Sequence, residues 1–366
     1  MASHVPPSGS LGGIVRYTVE LARALERRDD VELHLLTSRE AAGPLADLLG
    51  CHGRIVTVPN APGALVPAVE RYLMGRRLRG FDVVQGTKHL LPRNVAARSV
   101  LTVHDMLLFD RPQDFPGPKR HLLRRPYAAS LRQADVLVCV SAATQRRVVE
   151  WSPRLAGRTA VVPLATSPAL LKAPSVPVEA VVGRPFALVV GDSQPRKNVA
   201  TAVSAWHEVA KHRPDAVLVL VGPPAWGEES YGPHYAYLVD TGNVVQLTSV
   251  GDGVLRWCYE NTALVLAPSL AEGFGLPAVE ALDLGAPLVT SLDPALVEAS
   301  GLGVEHLPAE DTAAWASLAL RHLGERREDD SKGRRPTERT RRTWDDVAAE
   351  TVDHVMSQDR TGVVQR

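Results

Sequence analysis

Ala271-Glu-Gly-Phe-Gly-Leu-Pro-Ala-Val-Glu-Ala-Leu-Asp-Leu-Gly-Ala-Pro-Leu-Val-Thr290 follows an apolar run, NTALVLAP over 261–268, that reads as a buried strand entering a loop. Pro277 suits the first turn of a helix, where a missing N–H costs nothing, so the stretch predicts strand, Gly-rich turn and helix in succession. Glu272 then sits on the loop and Glu280 on the helix, with Gly273, Phe274, Gly275 and Leu276 between them. Unpaired N–H groups of a first helical turn carry partial positive charge, and glycines let backbone approach a ligand, which together make an anion site. Ionised carboxylates beside it accept hydrogen bonds and have no protons to give, a match for hydroxyl groups. The combination suits a diphosphate joined to a polyhydroxyl body. For either glutamate taken alone, a capping or solvated charge is the alternative.

The same strand-then-helix pattern extends in both directions. Apolar runs at 31–37, 83–85, 99–103 and 136–140, then at 186–190, 216–221, 244–247, 263–267 and 287–290, alternate with helix-like segments. That alternation specifies parallel sheets covered by helices. Pro163, Pro168, Pro174, Pro177 and Pro185 separate the two series and read as a linker. The expected organisation is a first domain over 1–168, a linker over 169–184, a second domain over 185–340 and a terminal helix over 341–357. A length of 366 residues accommodates two such domains, each with its own core.

Basic and acidic residues balance at 41 each, so global charge gives no reason to expect nucleic-acid binding. Cys51, Cys139 and Cys258 are odd in number and widely spaced, which points to a reducing compartment, the cytoplasm by default. No signal pattern opens the chain and no stretch reaches the roughly 18 apolar residues of a span, so neither secretion nor membrane spanning is expected. Residues 325–342, with charges of both signs, read as poorly ordered or solvated. The basic and apolar stretches 71–79 and 119–125 fit solvated helix faces, weak peripheral contact with a lipid surface, or an anionic acceptor. Abundant Ala, Arg and Val with few Lys suggest a GC-rich bacterial genome.

Ligands of doubly wound sheets bind outside the carboxyl ends of strands, and the other motifs fall there. Gly12 and Gly13 precede a helix over 14–25, either for close approach to phosphate or for a tight turn. His104 and Asp105 end the 99–103 strand, with Asp105 suited to bonding neighbouring backbone. Ser141 suits the N-cap of a helix over 142–150. Gly191 ends the 186–190 strand, and Arg196 and Lys197 follow just before a helix over 199–209. Arg binds bidentately and Lys as a point charge, so the pair makes a diphosphate clamp or else a solvated basic loop. Gly222 and Trp226 follow the 216–221 strand in V-G-P-P-A-W-G, which resembles a strand-end loop of a glycosyltransferase branch and on that resemblance borders a base or ribose, with core or lid packing by Trp226 left open.

Competing chemistry finds less support. His207 and His212 lie five apart on a helix, on different faces, and cannot share a metal. There is no D-x-D pair and no G-x-x-x-x-G-K-[ST] loop, so neither metal nor other cofactor is expected. Paired hydrolase carboxylates would leave Arg196 and Lys197 unexplained.

E-G-F-G-L-P-x-x-E-A-x-x-x-G-x-P-x-V over 272–289 resembles the signature of retaining nucleotide-sugar glycosyltransferases of family four, the glycosyl transferases group 1. G-G-I-x-R-Y at 12–17, A-D-V-L-V-C-V-S at 134–141, P-R-K-N at 195–198 and Trp344 agree in order, and H-D at 104–105 followed by Pro112 and Phe115 resembles the mannosyltransferase-like branch. The resemblance implies a GT-B fold, two Rossmann-like doubly wound domains facing across a cleft. It further implies a metal-independent, retaining hexosyltransferase that moves a mannose-like hexose from a nucleoside diphosphate sugar to a hydroxyl of a saccharide, natural product or lipid-linked sugar. On it, Arg196 and Lys197 contact phosphate, Glu272 holds sugar hydroxyls, Glu280 holds ribose, His104 faces the transferred sugar, and Gly12 and Gly13 lie near donor phosphate and acceptor. Trp344 anchors a final helix back on the first domain.

Two departures stand out. The family carries an apolar strand before the first glycine loop where only residues 2–5 stand here, either a vestigial strand or a start that lies upstream. Asp192 occupies the place after Gly191 where some members have a further cation. A phosphorylase or epimerase on the same paired domains would turn over without an acceptor alcohol, and a non-catalytic sugar-nucleotide-binding partner protein would bind without turnover.

Overall fold

A computed structural model of the chain describes residues 1–6, 12–50, 54–59, 65–115, 117–224, 228–324 and 341–357. Trp226, Cys51 and almost all of the charged run 325–342 lie outside them. The chain forms two compact units, Met1–Ala165 together with Arg342–Arg366, and Thr166–Arg341.

In the second unit six parallel strands stand in the order β12-β11-β10-β7-β8-β9. They are β7 Phe186–Val190, β8 Val217–Val221, β9 Val244–Leu247, β10 Leu264–Ala267, β11 Leu288–Ser291 and β12 Glu305–Leu307. The continuous apolar runs of β7 and β8 follow from burial on both faces. Successive side chains point to opposite sides, so Ala187, Val189, Leu218 and Leu220 meet Trp206 and Trp315 on one face. Phe186, Leu188, Val217 and Val219 meet Tyr259 and Ala278 on the other. The Pro-rich stretch belongs to this unit rather than tethering it: Leu170, Val178 and Val181 are buried in the second of these clusters. Arg256 reinforces the packing by donating to the carbonyls of Leu171 and Ala173 (2.8 and 2.9 Å).

In the first unit β3 Val83–Gly86, β4 Arg98–Val103, β5 Val136–Cys139 and β6 Thr159–Val161 form a parallel sheet in chain order. β1 Leu35–Thr37 and β2 Ile55–Thr57 make a separate parallel pair. Residues 1–2 reach both groups. The Ala2 amide donates to Leu36 O (2.7 Å), and the Met1 amino group donates to Gln85 O (2.8 Å). Ala2 and Val5 are buried beside Val19 and Leu35. The helix Trp344–Ser357 packs on the helix Gly13–Glu26, with the Trp344 ring 5.8 Å from that of Tyr17.

The strand expected over 31–37 is confined to Leu35–Thr37, where every side chain is buried. β2, β6 and β12 were not foreseen. Each has three residues and is paired along one side, so half-covered positions need no apolar run. Arg71, in a basic stretch read as a solvated face, is buried and donates to Leu91 O and Ser130 Oγ (2.8 and 2.9 Å). No helix among the described residues is long and apolar enough to cross a membrane.

Candidate active site

Two loops at the carboxyl ends of β7 and β10 bring three charged side chains together in the second unit. The turn Pro195–Lys197 closes on Asn198, whose backbone is left-handed (φ 53°), a conformation Asn tolerates. Asn198 Nδ2 donates to Pro268 O and Ala309 O (3.1 and 2.7 Å), and the Leu270 amide donates to Arg196 O (2.7 Å). These bonds lash the cationic turn to the loop that carries Glu272. Arg196 Nη1 then reaches Glu272 Oε2 at 3.0 Å, and Lys197 Nζ reaches Glu272 Oε1 at 2.5 Å. Ser269 Oγ donates to the same Oε1 (2.8 Å).

Glu272 is almost wholly enclosed, its side chain 8% exposed. Burial pushes its carboxyl up, but Lys197 and Arg196 outweigh that and hold it down at about 2. A carboxylate has about four lone-pair sites, so one remains beside the three hydrogen bonds already made. Asp293 supports the loop from the helix Pro294–Ser300. Burial raises its carboxyl, while the backbone amides of Leu296, Ala295 and Glu272 favour the charged form.

Gly191, Asp192, Lys197, Ser269, Glu272 and Gly275 line one pocket with about 390 Å³ of empty space, counted out to its open mouth. Its glycines are demanded by the fold. Gly275, at the N-cap of helix Leu276–Asp283, has φ 97°, and a Cβ there would lie 2.6 Å from the Leu296 side chain. Gly222 has φ 138° and presses its open side against Gly191 O, 2.2 Å from where a Cβ would stand. Gly273 and Phe274 are buried in the loop, and Leu276 is the partly buried first residue of the helix. The helix start offers fewer free donors than its sequence suggested. Pro277 has none, and the Ala278 and Val279 amides both turn back to Gly275 O (3.0 and 3.3 Å). Charge at this pocket therefore comes chiefly from side chains.

Glu280 is not brought to the pocket lining. It is buried one helical turn along, and its Oε2 accepts from Tyr259 OH at 2.9 Å. Ser269, Asn198, Asp293 and Tyr259 had no role assigned from sequence. The usable signals were Asn198 within P-R-K-N and Ser269 three residues before Glu272.

In the first unit His104 follows β4, buried, with Nε2 donating to Thr87 O at 2.9 Å. A carbonyl partner requires the proton on Nε2 and leaves Nδ1 as the acceptor in the neutral ring. Burial pushes the imidazole pKa down, against the Thr87 bond and Asp105, which favour protonation. Tyr17 meets the ring edge-on at 4.7 Å. Asp105 Oδ1 accepts from the Leu107 amide (3.1 Å), and Ser141 Oγ accepts from the Thr144 amide (2.9 Å), both local backbone roles. Gly12 is the N-cap of helix Gly13–Glu26 with an extended backbone (φ −71°). Among the described residues, no atom lies within 4 Å of a Cβ at Gly12 or Gly13.

Residues 11–170 match the family described as Glycosyltransferase Family 4, and residues 176–332 match Glycosyl transferases group 1. The chain is 26% identical over 314 residues to the O-antigen chain mannosyltransferase B of Escherichia coli, across 80% of this chain and 81% of that protein. It is 30% identical over 311 residues to the MMP alpha-(1->4)-mannosyltransferase of Mycolicibacterium hassiacum, across 77% of this chain and 72% of that one. The solved structure of Anabaena HepE in complex with UDP-glucose overlays with a TM-score of 0.64 at 19% identity, covering 96% of this chain and 95% of that one. The chain belongs to the family 4, group 1 glycosyltransferases. It is a hexosyltransferase with a GT-B fold, built from two Rossmann-like units.

Proposed function

We propose that this enzyme moves a hexose, mannose in preference, from a nucleoside diphosphate sugar to a hydroxyl acceptor with retention at the anomeric carbon. The observation that carries the donor assignment is the ion-paired cluster of Arg196, Lys197 and Glu272, of which Lys197 and Glu272 line one pocket. An entering diphosphate competes with Glu272 for the two cations, which then stabilise the charge that develops on the leaving group. Glu272, partly released, accepts hydrogen bonds from donor-sugar hydroxyls. Glu280 holds ribose only after exchanging its bond with Tyr259. His104, neutral, orients the transferred sugar through Nδ1, and Gly12 and Gly13 leave open backbone for phosphate or acceptor.

Mannose preference rests on the mannosyltransferase relatives, and retention on the resemblance of the 272–289 motif. Attack on the same face as the departing diphosphate needs no side-chain nucleophile, and both oxygens of Glu272 are already engaged by Arg196, Lys197 and Ser269. The acceptor is a saccharide hydroxyl. Free buried thiols at Cys139 and Cys258, both pushed up to about 12 by burial, support work in a reducing compartment such as the cytoplasm.

Thermal shift with GDP-, UDP- and dTDP-sugars tests the donor, since a ligand stabilises only the state it binds. One of them should raise Tm, and should be consumed only when a saccharide acceptor is added. Consumption at the same rate without acceptor would overturn transfer in favour of hydrolysis or epimerisation.

A further inference from the structure

Asp192 lines the donor pocket one residue beyond Gly191, and its two carboxylate oxygens are used differently. Oδ2 accepts from Gln194 Nε2 at 2.7 Å, and Gln194 Oε1 accepts in turn from Arg196 Nε at 3.2 Å. Oδ1 is buried and has no hydrogen-bond partner among the described residues. An orphaned carboxylate oxygen costs more than a neutral one, because a charge has been taken from water without replacement. Counted with it, the side chains around the pocket are two cations, Arg196 and Lys197, and two carboxylates, Asp192 and Glu272. A diphosphate cannot satisfy Asp192, since it carries no proton to donate and is itself anionic. A hydroxyl can.

We infer that Asp192 is a donor-selecting residue: its Oδ1 receives a hydrogen bond from a hydroxyl of the transferred hexose, the part of the donor next to the diphosphate. The inference rests on the proposed donor reading and assigns one more contact within it. Asp192 thus disfavours the bare nucleoside diphosphate, by charge, and favours the intact sugar nucleotide, by a charge-assisted hydrogen bond. Product, which lacks the hexose, leaves more readily for the same reason.

The test is titration calorimetry of the full chain with GDP against GDP-mannose and UDP against UDP-glucose, in wild type, Asp192→Asn and Gln194→Ala. Asp192→Asn keeps the shape and an acceptor for Gln194 but removes the charge. It should bind the diphosphate as tightly as wild type or more tightly, while the preference for sugar nucleotide over diphosphate drops about tenfold. Gln194→Ala, which loosens Arg196 and frees Asp192 Oδ2 but keeps the Asp192 charge, should weaken both ligands while the preference for sugar nucleotide over diphosphate persists. Monodeoxy forms of the hexose add a second reading. Loss of one particular hydroxyl should cost wild type about tenfold and Asp192→Asn little. Equal weakening of diphosphate and sugar nucleotide in Asp192→Asn overturns the assignment and leaves the donor reading standing. Wild-type protein that binds none of the four ligands overturns both.

Discussion

The cationic loop of the second unit and the glycine loop of the first each lead into a helix, yet they are built in opposite ways. Around Gly191 and Gly222 the backbone is crowded and left-handed, and three charged side chains close over it. Around Gly12 and Gly13 there is open space, ordinary backbone, and a neutral histidine further along the same unit. The first pattern is a preformed cluster of paired charges whose glycines are required by the fold. The second has glycines that no packing among the described residues demands.

The sharpest way to break this contrast is Lys197→Ala. It removes one cation of the clamp and leaves Glu272 buried against Arg196 alone. We expect kcat/KM for transfer to fall on the order of 100-fold or more, measured with saturating acceptor, and full retained activity would remove the clamp from the mechanism.

Gly222→Ala and Gly12→Ala compare the two loops directly. At Gly222 a methyl group would overlap Gly191 O in a backbone conformation that suits glycine, and unfolding experiments should show a loss of about 3 kcal/mol. At Gly12 the same change meets nothing, so stability should move by no more than about 0.5 kcal/mol. A fall in activity of Gly12→Ala at unchanged Tm would then report on ligand contact.

Glu272→Gln probes the charge itself. The folded carboxyl sits near 2 against an ordinary 4.5, so the unfolded chain binds the proton first. The resulting stability, on the order of 3 kcal/mol, is complete above pH 4.5 and is lost as pH falls from about 4.5 to about 2. The gap between wild type and variant should be widest near neutrality and close across that window. A constant gap from pH 7 to pH 3 would show that packing, not charge, accounts for it.

The smallest effect belongs to His104. Its pKa is lowered, so protons favour the unfolded chain once pH drops below the ordinary 6.5. Replacing it with Gln should flatten part of the acid loss of stability that begins as pH falls below the ordinary 6.5, read by denaturant titration. Transfer rates of the wild type should show no titration of this group near pH 6.5.

Much of this molecule was legible in one dimension because its physics is local. Five apolar runs of the second unit became strands β7 to β11 with shifts of at most one residue, since a strand buried on both faces needs an unbroken apolar stretch. Pro277 set the start of its helix, and Ser141 capped another, through bonds between near neighbours. The three-residue edge strands were invisible for the converse reason, as one-sided pairing imposes little on composition. The Pro-rich stretch misled because prolines mark turns in a packed segment as well as in a free linker; burial of Leu170, Val178 and Val181 distinguishes the two.

By itself the sequence determined the alternation of strand and helix, the two-unit plan, the family, and which residues carry charge at the strand ends. Tertiary structure alone decided who meets whom. It paired Glu272 with Arg196 and Lys197 across 76 and 75 positions of chain, turned Glu280 to Tyr259, and left Asp192 with one unmatched oxygen. Hydrophobic pattern is written residue by residue, whereas the state of a buried charge depends on which partners the folded backbone brings within hydrogen-bond reach.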